Sequence, residues 1–130
     1  MSQWTHVCGC IRFDAFRMTN MPYSTLDCIK QLLGNTVSFG DSKEKWLNCD
    51  VPCGSEGSIQ FSFWDNPCLN HMAAFTVAIF GDLRDFGMED VPQIEKWFDK
   101  VTKTKNVMVR DAILRIDVEG VEDPIILKTK

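Results

Sequence analysis

Three cysteines and a histidine fall in two close pairs, Cys49 with Cys53 and Cys68 with His71, within the segment NCDVPCGSEGSIQFSFWDNPCLNH. Thiolate sulfur and imidazole nitrogen are the ligands zinc takes in tetrahedral sites, at ~2.0–2.3 Å. Three residues separate the first pair, two separate the second, and fourteen lie between the pairs. Pairs joined by a hairpin or a strand can supply four ligands, and Gly54 gives the turn after Cys53 a backbone free to reach positive φ. Zinc held by Cys49, Cys53, Cys68 and His71 is therefore the one cofactor the sequence suggests. Two features stand against it. The first spacing is one residue longer than the usual C-x2-C knuckle, and SIQFSFW, extended over ~20 Å, holds the pairs apart unless the chain returns.

The remaining reactive residues point less clearly to chemistry. His6, Cys8 and Cys10 recur at period 2, which puts them on one face of a strand and ~7 Å apart, too far for one metal without help from a neighbour. Asp82, Arg84 and Asp85 sit close in sequence and could build a small nucleotide-binding or hydrolytic cluster. The tripeptide in RDFG matches a kinase motif, yet no glycine-rich loop, strand lysine or catalytic loop accompanies it. No phosphate loop, nucleophile elbow or H-E-x-x-H occurs, and the two histidines, His6 and His71, are placed by no catalytic motif. Cys68 with His71 is a Cys–His pair by spacing alone. Binding rather than catalysis is the expectation.

A chain of 130 residues with 45% hydrophobic and 25% charged residues reads as one domain, 1–130, able to bury its own core. A net charge of −4 disfavours nucleic acid, which needs a clustered basic face. The N-terminus shows no signal-peptide pattern and no apolar run reaches ~18 residues, so neither export nor a membrane partner is expected. Six cysteines without an export signal read as reduced thiols in the cytoplasm.

The elements that would position these residues follow from periodicity. HVCGCIRFDAF alternates, with Val7, Ile11 and Phe13 to one side and Cys8, Cys10 and Arg12 to the other, which predicts a strand. YSTLDCIKQLLG predicts a helix capped near Ser24 and closed by Gly34. The 24 residues from Asn35 to Ser58 have weak pattern, and so long a segment should contain a minor strand (TVSF), be pinned, or be functional. SIQFSFW and MAAFTVAIFGDL are strands, EDVPQIEKWFDKVTK is a helix begun by Asp90 with Pro92 in its first turn, and VMVRDAILRIDVEG is a strand. PIILK adds an edge strand. The order predicts an α+β fold, a ferredoxin-like βαββαβ two-layer sandwich with an antiparallel sheet.

Such a sandwich leaves one sheet face uncovered. The outward positions are Cys8, Cys10, Arg12, Trp64, Phe80, Ile113 and Arg115, too apolar for a solvated face and suited to an interaction site. RNA-binding sheets place aromatics on the two central strands in basic surroundings, whereas here the first strand carries cysteines. Homo-oligomerisation or capture of another protein fits better. A bulge at Gly81 would invert this assignment, and the C-terminal segment could cover the patch.

The blocks GSEGSIQFSFWDNP and AAFTVAIFGDLRDFG resemble small proteins of unknown function encoded by bacteriophages and prophages. The resemblance covers about half of the chain and brings no catalytic motif. It implies a small accessory protein made inside a bacterial host, one that binds or inhibits a host component.

Overall fold

The computed structural model describes residues 2–15, 26–65, 73–104 and 107–129. It is an α+β structure around a five-stranded sheet in which every pairing is antiparallel. The long strands are β1 (Trp4–Ala15), β4 (Gln60–Asp65), β5 (Ala73–Arg84) and β6 (Met108–Val118), with β7 (Ile125–Lys128) at one edge. The spatial order is β4-β5-β1-β6-β7. Helices α1 (Leu26–Leu33) and α3 (Val91–Thr102) supply the second layer, while α2 (Lys43–Leu47) and a short hairpin, β2 (Cys53–Gly54) with β3 (Gly57–Ser58), lie in the connection before β4.

Strand β1 is central because its alternation suits a strand paired on both sides: Val7, Ile11 and Phe13 are buried, and β5 and β6 flank it. The inward residues of β5 (Val77, Ile79, Leu83) and β6 (Ala112, Leu114, Ile116, Val118) join one core with Ile29 and Leu33 of α1 and Ile94, Trp97, Phe98 and Val101 of α3. Both helices thus cover the same face. The register of β5 runs unbroken through Gly81, so no bulge inverts its faces; among the described ladders the register shift lies between β1 and β6, where Arg12 and Phe13 pair with Asp111 and Val109 and Arg110 of β6 is skipped. The C-terminal segment pairs with the edge of β6 as β7 and leaves the open face uncovered.

Local details depart from the sequence expectations in instructive ways. Helix α1 ends at Gly34 as expected, with φ +106° and its N–H bonded to the Lys30 carbonyl; Ser24 lies outside the described residues. Asp90 stands before α3, but its carboxylate accepts from the Gly87 N–H at 3.1 Å instead of capping the helix, because a 3-10 turn at Met88–Asp90 leads in. TVSF makes only a single bridge, Ser38 to Gly57, because the segment must turn immediately into α2. The long connection is instead pinned by side chains. The buried Ser58 hydroxyl accepts from the Val37 N–H at 2.9 Å, and the Gln60 amide donates to the Val37 carbonyl at 2.9 Å. Gly54 does not adopt positive φ. It is required because a Cβ there would meet the Arg84 backbone at 2.6–2.7 Å, where the hairpin crosses the end of β5.

Candidate functional site: the open sheet face

Side chains opposite one another across the ladders form rows on the face the helices leave bare. His6 stands between Asp82 and Asp117; Cys8 between Phe80 and Arg115; Cys10 between Ala78 and Ile113; Arg12 between Thr76 and Asp111. Beyond them, Gln60 and Ser62 extend two rows onto β4, while Ile126 and Lys128 extend the same rows onto β7. Cys8, Arg12 and Arg115 are exposed and Cys10 is half-buried. Phe80, Ile113 and Ile126 keep 46%, 45% and 45% of their surface in water. The face thus presents an apolar middle where side chains of this kind are normally covered. The outward positions predicted for Cys8, Cys10, Arg12, Phe80, Ile113 and Arg115 are those observed. Trp64 is opposite Thr76 in register, and its side chain lies outside the described residues.

Charge on this face is graded along the strands. At the end where β1 begins, His6 Nδ1 lies 2.6 Å from Asp82 Oδ1, and Nε2 lies 3.4 Å from Glu119 Oε1. The Asp82 hydrogen bond holds the imidazole above its ordinary value of 6.5; burial opposes it, and the Asp82 charge and then the Glu119 carboxylate add smaller upward effects. Arg115 is bidentate to Asp117 in the same region, at 2.8 and 3.3 Å. At the opposite end Arg12 lies 3.6 Å from Asp111, and Lys128 stands opposite Ile113. The first end therefore carries an excess of carboxylate (Asp82, Asp117 and Glu119 against Arg115 and a titrating His6). The second carries an excess of cation (Arg12 and Lys128 against Asp111).

The other sequence candidates are placed differently. The Cys49 thiol donates to the Val51 carbonyl at 3.6 Å and the Cys53 thiol to the Gly54 carbonyl at 3.1 Å, and burial, with Cys49 adding to it, pushes the Cys53 thiol up to about 11. These two residues would supply half of a tetrahedral zinc set. Cys68 and His71 lie outside the described residues, and among the described residues no group of three ligands converges. Asp82, Arg84 and Asp85 do not form a common cluster. Asp82 faces His6; Arg84 binds Glu56 at 2.7 Å and the Ser2 hydroxyl at 2.9 Å; Asp85 accepts from the Ser55 hydroxyl at 2.6 Å. The Ser55 hydrogen bond leads the effects that hold the Asp85 carboxyl below its ordinary value. Arg84 and Asp85 thus fasten the β2–β3 hairpin to the end of β5, and the sharp turn there puts Asp85 at φ +56°, a conformation aspartate tolerates.

Sequence reasoning passed over a cavity of about 720 Å³ between α1, α2 and β4, whose lining includes Lys30, Asn35, Asn48, Gln60, Phe61 and Phe63. Lys30 Nζ sits 5.3 Å from the Phe63 ring centre. Its only trace in the sequence was the unexplained length of the connection that holds α2. The chain matches no protein-family model, no curated protein and no solved structure. Among the described residues no helix is long and apolar enough to cross a membrane.

Proposed function

We propose that the chain is a non-enzymatic interaction module that self-associates through its open sheet face. The observation that carries this reading is the apolar middle of the face, formed by Phe80, Cys8, Cys10, Ile113 and Ile126, on a sheet whose core-packed helices α1 and α3 lie on the other side. The occupant that suits it is a second copy of the same chain. A two-fold axis lying in the sheet plane and across the strands lays the His6 row of one copy over the Arg12 row of the next. Asp82 and Asp117 of one copy then flank Arg12 of the next, one strand to either side, while the apolar middles meet. Aligned sheets pack ~10 Å apart, a spacing these side chains can fill. Four side-chain rows ~6.8 Å apart on the three central strands, and two rows on each flanking strand, at ~4.8 Å between strands, give roughly 500 Å² in projection, against the ~800 Å² of accessible surface per partner in a stable complex.

The strand order supports a finer reading of the fold. Counting only β1, β4, β5 and β6, with α1 before β4 and α3 between β5 and β6, the chain follows the split βαβ arrangement of ferredoxin-like domains. The resemblance to phage-encoded proteins supplies a setting: an accessory protein acting in the cytoplasm of a bacterial host, where the dimer engages a host component.

Sedimentation across a concentration series tests self-association. Wild type should approach twice the chain mass, while Phe80→Glu and Ile113→Glu should run as monomers with unchanged far-ultraviolet circular dichroism. A wild-type chain that stays monomeric at high concentration would sink the reading. So would variants that stay dimeric, since a buried carboxylate in an apolar interface is not tolerated.

A further inference from the structure

The cavity between α1, α2 and β4 rests on no property of the open sheet face. Its volume of about 720 Å³ falls within the ~300–1,000 Å³ typical of small-molecule sites. Phe61 and Phe63 of β4 form a half-buried aromatic wall, edge to face with ring centroids 6.4 Å apart. Phe61 is fixed by its stack on Trp97, with centroids 5.7 Å apart. Around this wall is an exposed polar rim: Lys30 in the last turn of α1, Asn35 just after it, Lys45 in α2 and Asn48 at the end of α2. The rim is set before any ligand arrives. Gly34 turns the chain at φ +106°, the Asn35 N–H is bonded to the Asp50 carboxylate, and the Asn35 side-chain amide donates to the Asn48 carbonyl at 3.4 Å.

The groups left over at the rim define what suits it. Among the described residues the Asn48 side-chain amide and the Thr36 hydroxyl make no hydrogen bond, and Asn35 Oδ1 accepts none. A side-chain amide presents a donor and an acceptor side by side in one plane, which matches the edge of a nucleobase. The Lys30 ammonium sits 5.3 Å from the Phe63 ring centre and pairs with no carboxylate among the described residues. Lys45 reaches Asp41 only at 4.0 Å, an exposed pair too weak to hold it. Glu44 is the one carboxylate lining the cavity, so two ammonium groups stand against one negative charge. That balance suits a single phosphate better than a triphosphate. A neutral sugar would leave Lys30 without an anion. We propose that this cavity binds a nucleoside monophosphate. The base lies against the Phe61–Phe63 wall, as bases do on aromatic side chains. Its edge is read by the amides of Asn35 and Asn48, and its phosphate is held by Lys30 and Lys45.

The test titrates the isotope-labelled full chain, followed by amide NMR, with AMP, GMP, CMP and UMP, with their nucleosides, with ATP and with inorganic phosphate. At least one monophosphate should saturate below about 1 mM and shift amides within 30–36, 44–48 and 60–63. Its nucleoside and inorganic phosphate should each bind about tenfold more weakly or worse. Lys30→Glu should weaken the monophosphate about tenfold and leave the nucleoside unchanged. Glu44→Gln should tighten the monophosphate about threefold, a gain that a damaged fold does not produce. No saturable binding of any monophosphate up to about 5 mM overturns the proposal. So does inorganic phosphate or a nucleoside that binds as tightly as the monophosphate, or a set of shifts centred elsewhere on the chain. ATP binding more tightly than AMP would overturn the assignment to a single phosphate. A folded Lys30→Glu variant with wild-type affinity would remove the phosphate from the end of α1.

Discussion

Replacing Trp97 by phenylalanine isolates the contact that locks the helical layer together. Trp97 is buried on α3, its ring stacks on Phe61 with centroids 5.7 Å apart, and its indole N–H donates to the Leu33 carbonyl at 2.8 Å. That carbonyl is in the last turn of α1, where no helical N–H remains to satisfy it. Phenylalanine keeps the stacking but removes the donor and the second ring. An unpaired buried carbonyl costs about 1–3 kcal/mol. Losing the pyrrole portion uncovers or empties about 40 Å² of apolar surface, worth about 1 kcal/mol. The expected destabilisation is therefore about 2–4 kcal/mol, a large share of the ~5–15 kcal/mol available to a domain, and a fall in Tm of about 10 °C. Urea unfolding followed by circular dichroism measures it. A benzothienyl analogue at position 97, which keeps the bicyclic shape but lacks the N–H, should recover the volume part alone. If Trp97→Phe lies within about 0.5 kcal/mol of wild type, the Leu33 carbonyl has another partner and Trp97 does not couple α1 to α3.

The buried Thr5 hydroxyl donates to the Phe86 carbonyl at 2.6 Å, so the near-isosteric Thr5→Val should cost about 1–3 kcal/mol in urea unfolding; no change would mean that carbonyl is otherwise satisfied. Ser58→Ala removes the acceptor for the buried Val37 N–H, and hydrogen exchange should show the connection before β4 opening faster while the β1–β5 ladder keeps its protection. The His6 imidazole should titrate above 6.5 by NMR. Because its folded value is raised, its contribution is fully present below the unfolded value and is lost as pH rises through the folded one. The group is half-exposed, so the effect is below about 1 kcal/mol and shrinks with salt. A His6→Gln variant whose stability difference from wild type does not narrow between pH 6 and pH 9 would contradict the clasp.

What the sequence made legible is whatever depends on period. The outward set Cys8, Cys10, Arg12, Phe80, Ile113 and Arg115 was readable because one strand residue in two shares a face, and an antiparallel ladder preserves that alternation across neighbours. The buried stripe of α3 was readable for the corresponding helical reason. The clasp on His6 was not, since Asp82 and Glu119 reach it only through the pairing of β1 with β5 and β6, over separations no local pattern encodes. Gly54 misled for a related reason: a glycine beside a cysteine suggests a knuckle turn, whereas the constraint is the distant backbone of Arg84. Cys49 was picked out by spacing, but the cavity it lines depends on α3, more than forty residues further on.

Self-association through a sheet can run along its edges or across its face, and the two routes make opposite demands on the same residues. Edge pairing needs a long strand with a bare row of N–H and C=O groups. β7 has only four residues and ends in Lys128, and β4 is crowded at its start, where the Ile59 N–H is already bonded to the Pro52 carbonyl. The face, by contrast, is broad and, among the described residues, is not covered by a helix. Ile126 separates the routes because it is on the edge strand yet points out of the sheet, opposite Arg115. In face packing, Ile126 bounds the apolar middle on the β7 side, so Ile126→Glu should weaken the dimer by about tenfold or more, and backbone amides of β7 should exchange equally in monomer and dimer. In edge pairing the substitution should leave the mass unchanged, while the β7 amides become protected as concentration rises. A dimer that survives Ile126→Glu and Phe80→Glu but protects β7 would therefore move the interface from the face to the edge, and the acidic and basic ends of the face would lose their assigned partners.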